Sequence, residues 1–131
     1  MVNTELSLNE RNSIDSDTDA TYPAATRVAS ASAKYNCHSY CWYSQDVSTN
    51  QYWLNNPSPY WTDGSYVEAP IAVGRKVRYL SGAHSAIVNY YSSGVTFFRS
   101  KWGLAGVYNH APSYGPPEYN YFSGVKYYKL G

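Results

Sequence analysis

His84-Ser85-Ala86-Ile87-Val88-Asn89-Tyr90-Tyr91-Ser92-Ser93-Gly94-Val95-Thr96-Phe97-Phe98-Arg99-Ser100-Lys101-Trp102 is the stretch that decides the fold. β-Branched and aromatic residues dominate both halves, and Ser92-Ser93-Gly94 interrupts them with turn chemistry. The spacing predicts two antiparallel strands, 84–91 and 95–102, joined by a hairpin of the three-residue-loop type. Lys76 to Leu80 reads as a strand before this pair, and Val125 to Leu130 as a closing strand after it. Between them, Gly103 to Tyr121 is rich in Gly, Pro, Asn and Tyr and reads as a long loop.

Upstream lies Tyr35-Asn36-Cys37-His38-Ser39-Tyr40-Cys41-Trp42-Tyr43. Asn36 is a good N-cap, and a helix of two to three turns follows from Cys37 to about Gln45. Ala24 to Lys34 is small and polar, and reads as a short helix or a lead-in loop. Tyr52, Trp53, Tyr60, Trp61 and Tyr66 fall on irregular backbone broken by Asn55-Asn56-Pro57-Ser58-Pro59 and Asp63-Gly64. Such rings either border a groove or fill the core of a domain poor in Leu and Ile. A helix first and an antiparallel meander second define an α+β domain with the short helix packed on the sheet.

At 131 residues the chain has room for one domain with a modest core. Residues 1–20 hold Glu5, Glu10, Asp15, Asp17 and Asp19 against Arg11 alone, with no aromatic residue. They are expected to form a disordered acidic tail, leaving residues 21–131 as the folded unit. That unit is mildly basic, which suits an anionic partner such as a bacterial wall but falls short of nucleic-acid binding. No apolar run reaches membrane-spanning length, so no insertion is expected. Met1-Val2-Asn3-Thr4 lacks the basic flank and apolar stretch of a signal peptide. Sixteen tyrosines and four tryptophans with few Lys and Glu nevertheless suit an exported Gram-positive protein. A monomer, secreted and associated with the cell wall, is the expectation.

Cys37 and His84 are the candidates for chemistry. A thiol at a helix N-terminus is partly ionised by the backbone N–H groups and the macrodipole there. An imidazole at the start of a strand can complete the ion pair and later protonate a leaving group. Ser100, on the strand paired with that of His84, could orient the imidazole; Asn109 and His110 compete for this role. The Cys37 N–H and the Asn36 amide could stabilise an oxyanion. Cys41, one turn on, reads as a small buried residue. Zinc is a rival use of Cys37, His38, Cys41, His84 and His110, although Cys-His-x-x-Cys is not a common zinc spacing. Nothing in the residues requires a metal or an organic cofactor.

Asn-Cys with a short polar-aromatic helix, then Gly-x-His-Ser-Ala-Ile-Val at 82–88, then Ser-Lys-Trp-Gly at 100–103, resembles the CHAP and NlpC-type cysteine amidohydrolases. The resemblance covers Tyr35 to Trp102. It implies a papain-like fold and cleavage of amide bonds in bacterial peptidoglycan, as an amidase or endopeptidase. Cys37 would be the nucleophile, His84 the general base and acid, and Ser100 the orienting residue. Asn36 would serve the oxyanion, and Tyr35, Trp53, Trp61 and His110 would line the substrate site. Serine stands where CHAP sites usually carry Glu, Asp or Asn, and the Asp-Cys-Ser-Gly pattern of NlpC enzymes is absent. The alternative is a secreted wall- or glycan-binding or toxin-like module that keeps the fold without turnover.

Overall fold

Strands β4 (Ser85–Ser92) and β5 (Val95–Lys101) pair antiparallel from Ile87 opposite Arg99 to Ser92 opposite Val95, as expected. The turn between them is tighter than the sequence suggested. Ser93 and Gly94 alone form it, both with positive φ (53° and 78°), the left-handed pair that matches strand twist. The computed structural model describes residues 3–131.

Around this hairpin stand β1 (Thr26–Ala29), β2 (Tyr66–Glu68), β3 (Lys76–Tyr79), β6 (Val107–His110) and β7 (Val125–Leu130). The seven strands form one sheet in the order β1-β6-β5-β4-β3-β7-β2, with every neighbouring pair antiparallel. The α+β class and antiparallel sheet therefore hold. The long loop expected from Gly103 to Tyr121 does not: Val107-Tyr108-Asn109-His110 is a strand, with Phe98 opposite His110 and Lys101 opposite Val107. Gly106 lets β1 come alongside, since a Cβ there would lie 2.0 Å from the Ala29 carbonyl oxygen.

The acidic tail is corrected most sharply. Leu8–Thr21 is an α-helix, α1, of 14 residues. Ser7 and Glu10 form a capping box: Glu10 N donates to Ser7 Oγ (3.2 Å) and Ser7 N to Glu10 Oε1 (2.9 Å). The carboxylates then bind main chain instead of water. Asp15 accepts from Ala31 N (2.8 Å) and Ser30 Oγ (2.5 Å). Glu5 accepts from Ala33 N (2.9 Å) and Ser32 Oγ (2.7 Å), and Asp19 from Tyr108 Oη (2.7 Å). Charge-assisted bonds of this kind give an acidic segment a reason to order that a hydropathy count does not register. Residues 3–21 belong to the folded unit.

Residues opposite one another across the sheet share a face. One face carries Val77, Tyr79, Ala86, Val88 and Phe98, with Tyr119 and Tyr121 of the 111–124 segment packed over it. The other packs Ile87 and Tyr128 against Cys41, Trp42, Leu54, Tyr60 and Trp61. Most of the aromatic loop thus fills core. The Cys37 helix is shorter than expected and underwound, since Ser39–Tyr43 is a π-type turn closed by Ser44 N to Ser39 O (3.0 Å). Gln45 Nε2 takes up the Tyr40 and Cys41 carbonyls at 2.6 and 3.0 Å. Among the described residues no helix is long and apolar enough to cross a membrane.

Candidate functional site

Asn36 caps the helix as the sequence predicts, accepting from Ser39 N at 3.0 Å. It also grips residue 54, accepting from Leu54 N (3.2 Å) and donating through Nδ2 to Leu54 O (2.8 Å). Its amide is buried and committed to that loop, so it is not a free oxyanion donor. Tyr35 is likewise buried, 4.8 Å beneath the Lys101 ammonium, and offers no surface to a substrate.

Cys37 opens the helix and is 6% exposed. Burial pushes its thiol up to about 11, against the lowering influence of the Ser85 and His38 backbone N–H groups and the Lys101 ammonium. Cys41 is fully enclosed, as expected, with its thiol directed at Ala86 O (3.0 Å). Both cysteines are free. Lys101 is itself buried. It donates to Ser32 O (2.8 Å) and to Gly103 O, tying the approach to Cys37 to the exit of β5.

His84 sits just before β4 at 1% exposure. Tyr119 stacks on its ring (3.8 Å between centroids, 6° between planes), and Tyr79 meets it edge-on at 4.9 Å. The residue after His84 reaches the cysteine, since the Ser85 backbone N–H acts on the Cys37 sulfur. Burial, reinforced by His110 and His38, holds the imidazole well below its ordinary pKa, so it is neutral. Neither ring nitrogen has a hydrogen-bond partner among the described residues.

Ser100 does not orient it. Ser100 Oγ bonds His110 Nε2 at 2.7 Å and accepts from Trp102 Nε1 at 3.1 Å. His110 Nδ1 faces Ala111 O (2.8 Å), so Nδ1 carries the proton and Nε2 accepts from Ser100. Asn109 is also occupied, accepting from Arg99 Nε at 2.7 Å. An equivalent relay lies on the opposite face, and sequence reasoning missed it. Trp42 Nε1 donates to Ser85 Oγ (3.0 Å), which bonds His38 Nδ1 (2.7 Å). Burial lowers both His38 and His110 to about 4.

A cleft of about 310 Å³ opens beside His84, walled by His38, Ser85, Tyr79, Arg78, Trp61 and the Asn55–Ser58 loop. Trp61 lines this cleft; Trp53 and Cys37 do not. His110 lines a separate cavity of about 150 Å³ under the 112–122 segment, with Tyr79 and Tyr119. Among the described residues, no three His, Cys, Asp or Glu side chains group as a metal site. The arrangement offers a neutral buried thiol at Cys37 and a neutral imidazole at His84, unpartnered among the described residues and stacked on Tyr119. No protein family, curated protein or solved structure matches the chain.

Proposed function

We propose that this domain is a secreted cysteine amidohydrolase acting on the peptide part of bacterial peptidoglycan, with Cys37 as nucleophile and His84 as base. The observation that carries it is His84: fully buried, at the wall of a cleft, with both ring nitrogens unpaired among the described residues. A buried polar group without a partner is costly, and such groups persist where they serve a function. The thiol proton passes to His84 as sulfur attacks the amide carbonyl. His84 returns that proton to the departing amine. Water then hydrolyses the thioester, releasing the acid and restoring the thiol. Burial keeps the thiol protonated in this arrangement, so uncovering of Cys37 is part of the cycle.

A second reading is a wall-binding module without turnover. The enclosed thiol and the engagement of Ser100 elsewhere favour it. Digestion of purified peptidoglycan by wild type and Cys37→Ala, with mass analysis of released fragments, separates the two. The hydrolase reading expects new fragments from wild type only. Equal fragment patterns, with wall binding retained in Cys37→Ala, would leave only the binding module.

A further inference from the structure

We propose that Arg78 makes the cleft beside His84 a carboxylate-recognition site, so that the peptide it takes carries an ionised carboxylate next to the group held at His84. This deepens the functional reading above and rests on its placing of the ligand in this cleft.

The guanidinium of Arg78 lies 4.5 Å from the Trp61 ring, and its Nη1 donates to Tyr128 Oη at 3.0 Å. These contacts hold the group in place, and among the described residues its other N–H donors have no acceptor. Among the described residues the ion pairs are Arg27 with Asp15 and Asp19, and Lys126 with Glu68; none involves Arg78. No Asp or Glu lines the cleft. An oriented guanidinium with free donors matches a carboxylate in two parallel bonds, a match an ammonium does not offer. It is the one fixed charge on the cleft wall, which favours a monoanion over a phosphate dianion. His84, buried with both nitrogens unpaired at the same wall, independently marks the cleft as a place where a ligand supplies missing hydrogen bonds. The volume of about 310 Å³ is at the lower end for ligand sites and suits a dipeptide-sized group.

The test uses the full chain carrying Cys37→Ala, so that turnover cannot consume the probes. N-acetyl-alanyl-glutamate amide offers a side-chain carboxylate, N-acetyl-alanyl-alanine a terminal one, and N-acetyl-alanyl-glutamine amide neither. Each is titrated to millimolar concentration while the Trp61 indole and Arg78 guanidinium NMR signals are followed. At least one acidic probe should move both signals and bind about tenfold or more tighter than the glutamine probe, the loss expected for a charge-assisted pair. Which acid wins identifies the carboxylate's position. Arg78→Gln should erase the preference, and Arg78→Lys, which keeps the charge and loses the fork, should reduce it. The lysine variant carries the test if the glutamine variant does not fold. Equal binding of all probes, no binding of any, or a preference that survives in Arg78→Lys unchanged overturns the proposal. Cysteine-dependent cleavage of peptidoglycan without carboxylate preference sinks this inference alone; preference without cleavage sinks the hydrolase reading alone.

Discussion

Two of the three histidines sit in near-copies of one device on opposite faces of the sheet, and the third sits beside them with nothing. In Trp42–Ser85–His38 and Trp102–Ser100–His110 an indole N–H feeds a serine hydroxyl and the hydroxyl feeds an imidazole. The His110 ring then ends on the Ala111 carbonyl. The indole and hydroxyl of each relay are bonded to the next group, which is how a buried histidine is held when its work is structural. His84 is at least as deeply buried and has only ring faces and edges for company. The repetition also argues against a serine nucleophile at Ser85. Its arrangement with His38 recurs at Ser100, inside the fold, where no substrate comes.

The largest effect should separate His84 from its neighbours. His84→Ala is expected to slow release of peptide from peptidoglycan by about 10²–10⁴, the range for losing a general base. Its urea midpoint should fall less than those of the other two, since the cavity is common to all three but no hydrogen bond is lost here. His38→Ala and His110→Ala should do the reverse, lowering the midpoint first. If all three substitutions lower stability alike and activity alike, the distinction fails.

Acid should sharpen the comparison next. His38 and His110 are held near 4 in the folded chain, against about 6.5 when unfolded. Their folded values are depressed, so below pH 6.5 the unfolded chain binds more protons. Stability is full above that pH and falls toward pH 4, by at most about 1.4 kcal/mol per pH unit for each histidine. Urea midpoints at pH 7 and pH 5 measure this loss, and His110→Gln should shrink it.

The smallest effect concerns the serines. Ser100→Ala strands the Trp102 indole N–H and His110 Nε2, and Ser85→Ala strands Trp42 and His38 in the same way. Each should cost about 1–3 kcal/mol by equilibrium denaturation. The two penalties should be similar if the relays are equivalent. A Ser85→Ala that lost activity while keeping stability would instead bring Ser85 into the chemistry.

Much of the scaffold was legible because its signals are local. The β-branched run at 84–91, the strand at 76–80 and the closing strand at 125–130 need only their own residues to declare themselves. Strands β1, β2 and β6 did not, being three or four residues long and set among Gly, Pro and polar residues. The helix at Leu8–Thr21 had a readable start in Ser7-x-x-Glu10, but Asp15, and Glu5 just before the helix, looked solvated because their partners are N–H and hydroxyl groups of residues 30–33. At the site, the helix-opening Cys37 and the strand-opening His84 could be read from flanking residues. Ser100 was misassigned because the hairpin register puts it on the right face but beside His110, which a strand hidden in an expected loop delivers. Arg78 and Tyr119 gave no local sign, since what matters about each is its neighbour from another element.

The position of β7 has a consequence for how the molecule is made. Val125–Leu130 is no border to the sheet; it lies between β3 and β2 and is bonded to both. Until the ribosome has released that stretch, Tyr66–Glu68 has no strand to join and Lys76–Tyr79 keeps one side open to any other polypeptide. Folding of the sheet therefore waits for β7, and a chain lacking Val125–Leu130 would leave the edges of β2 and β3 open to aggregation.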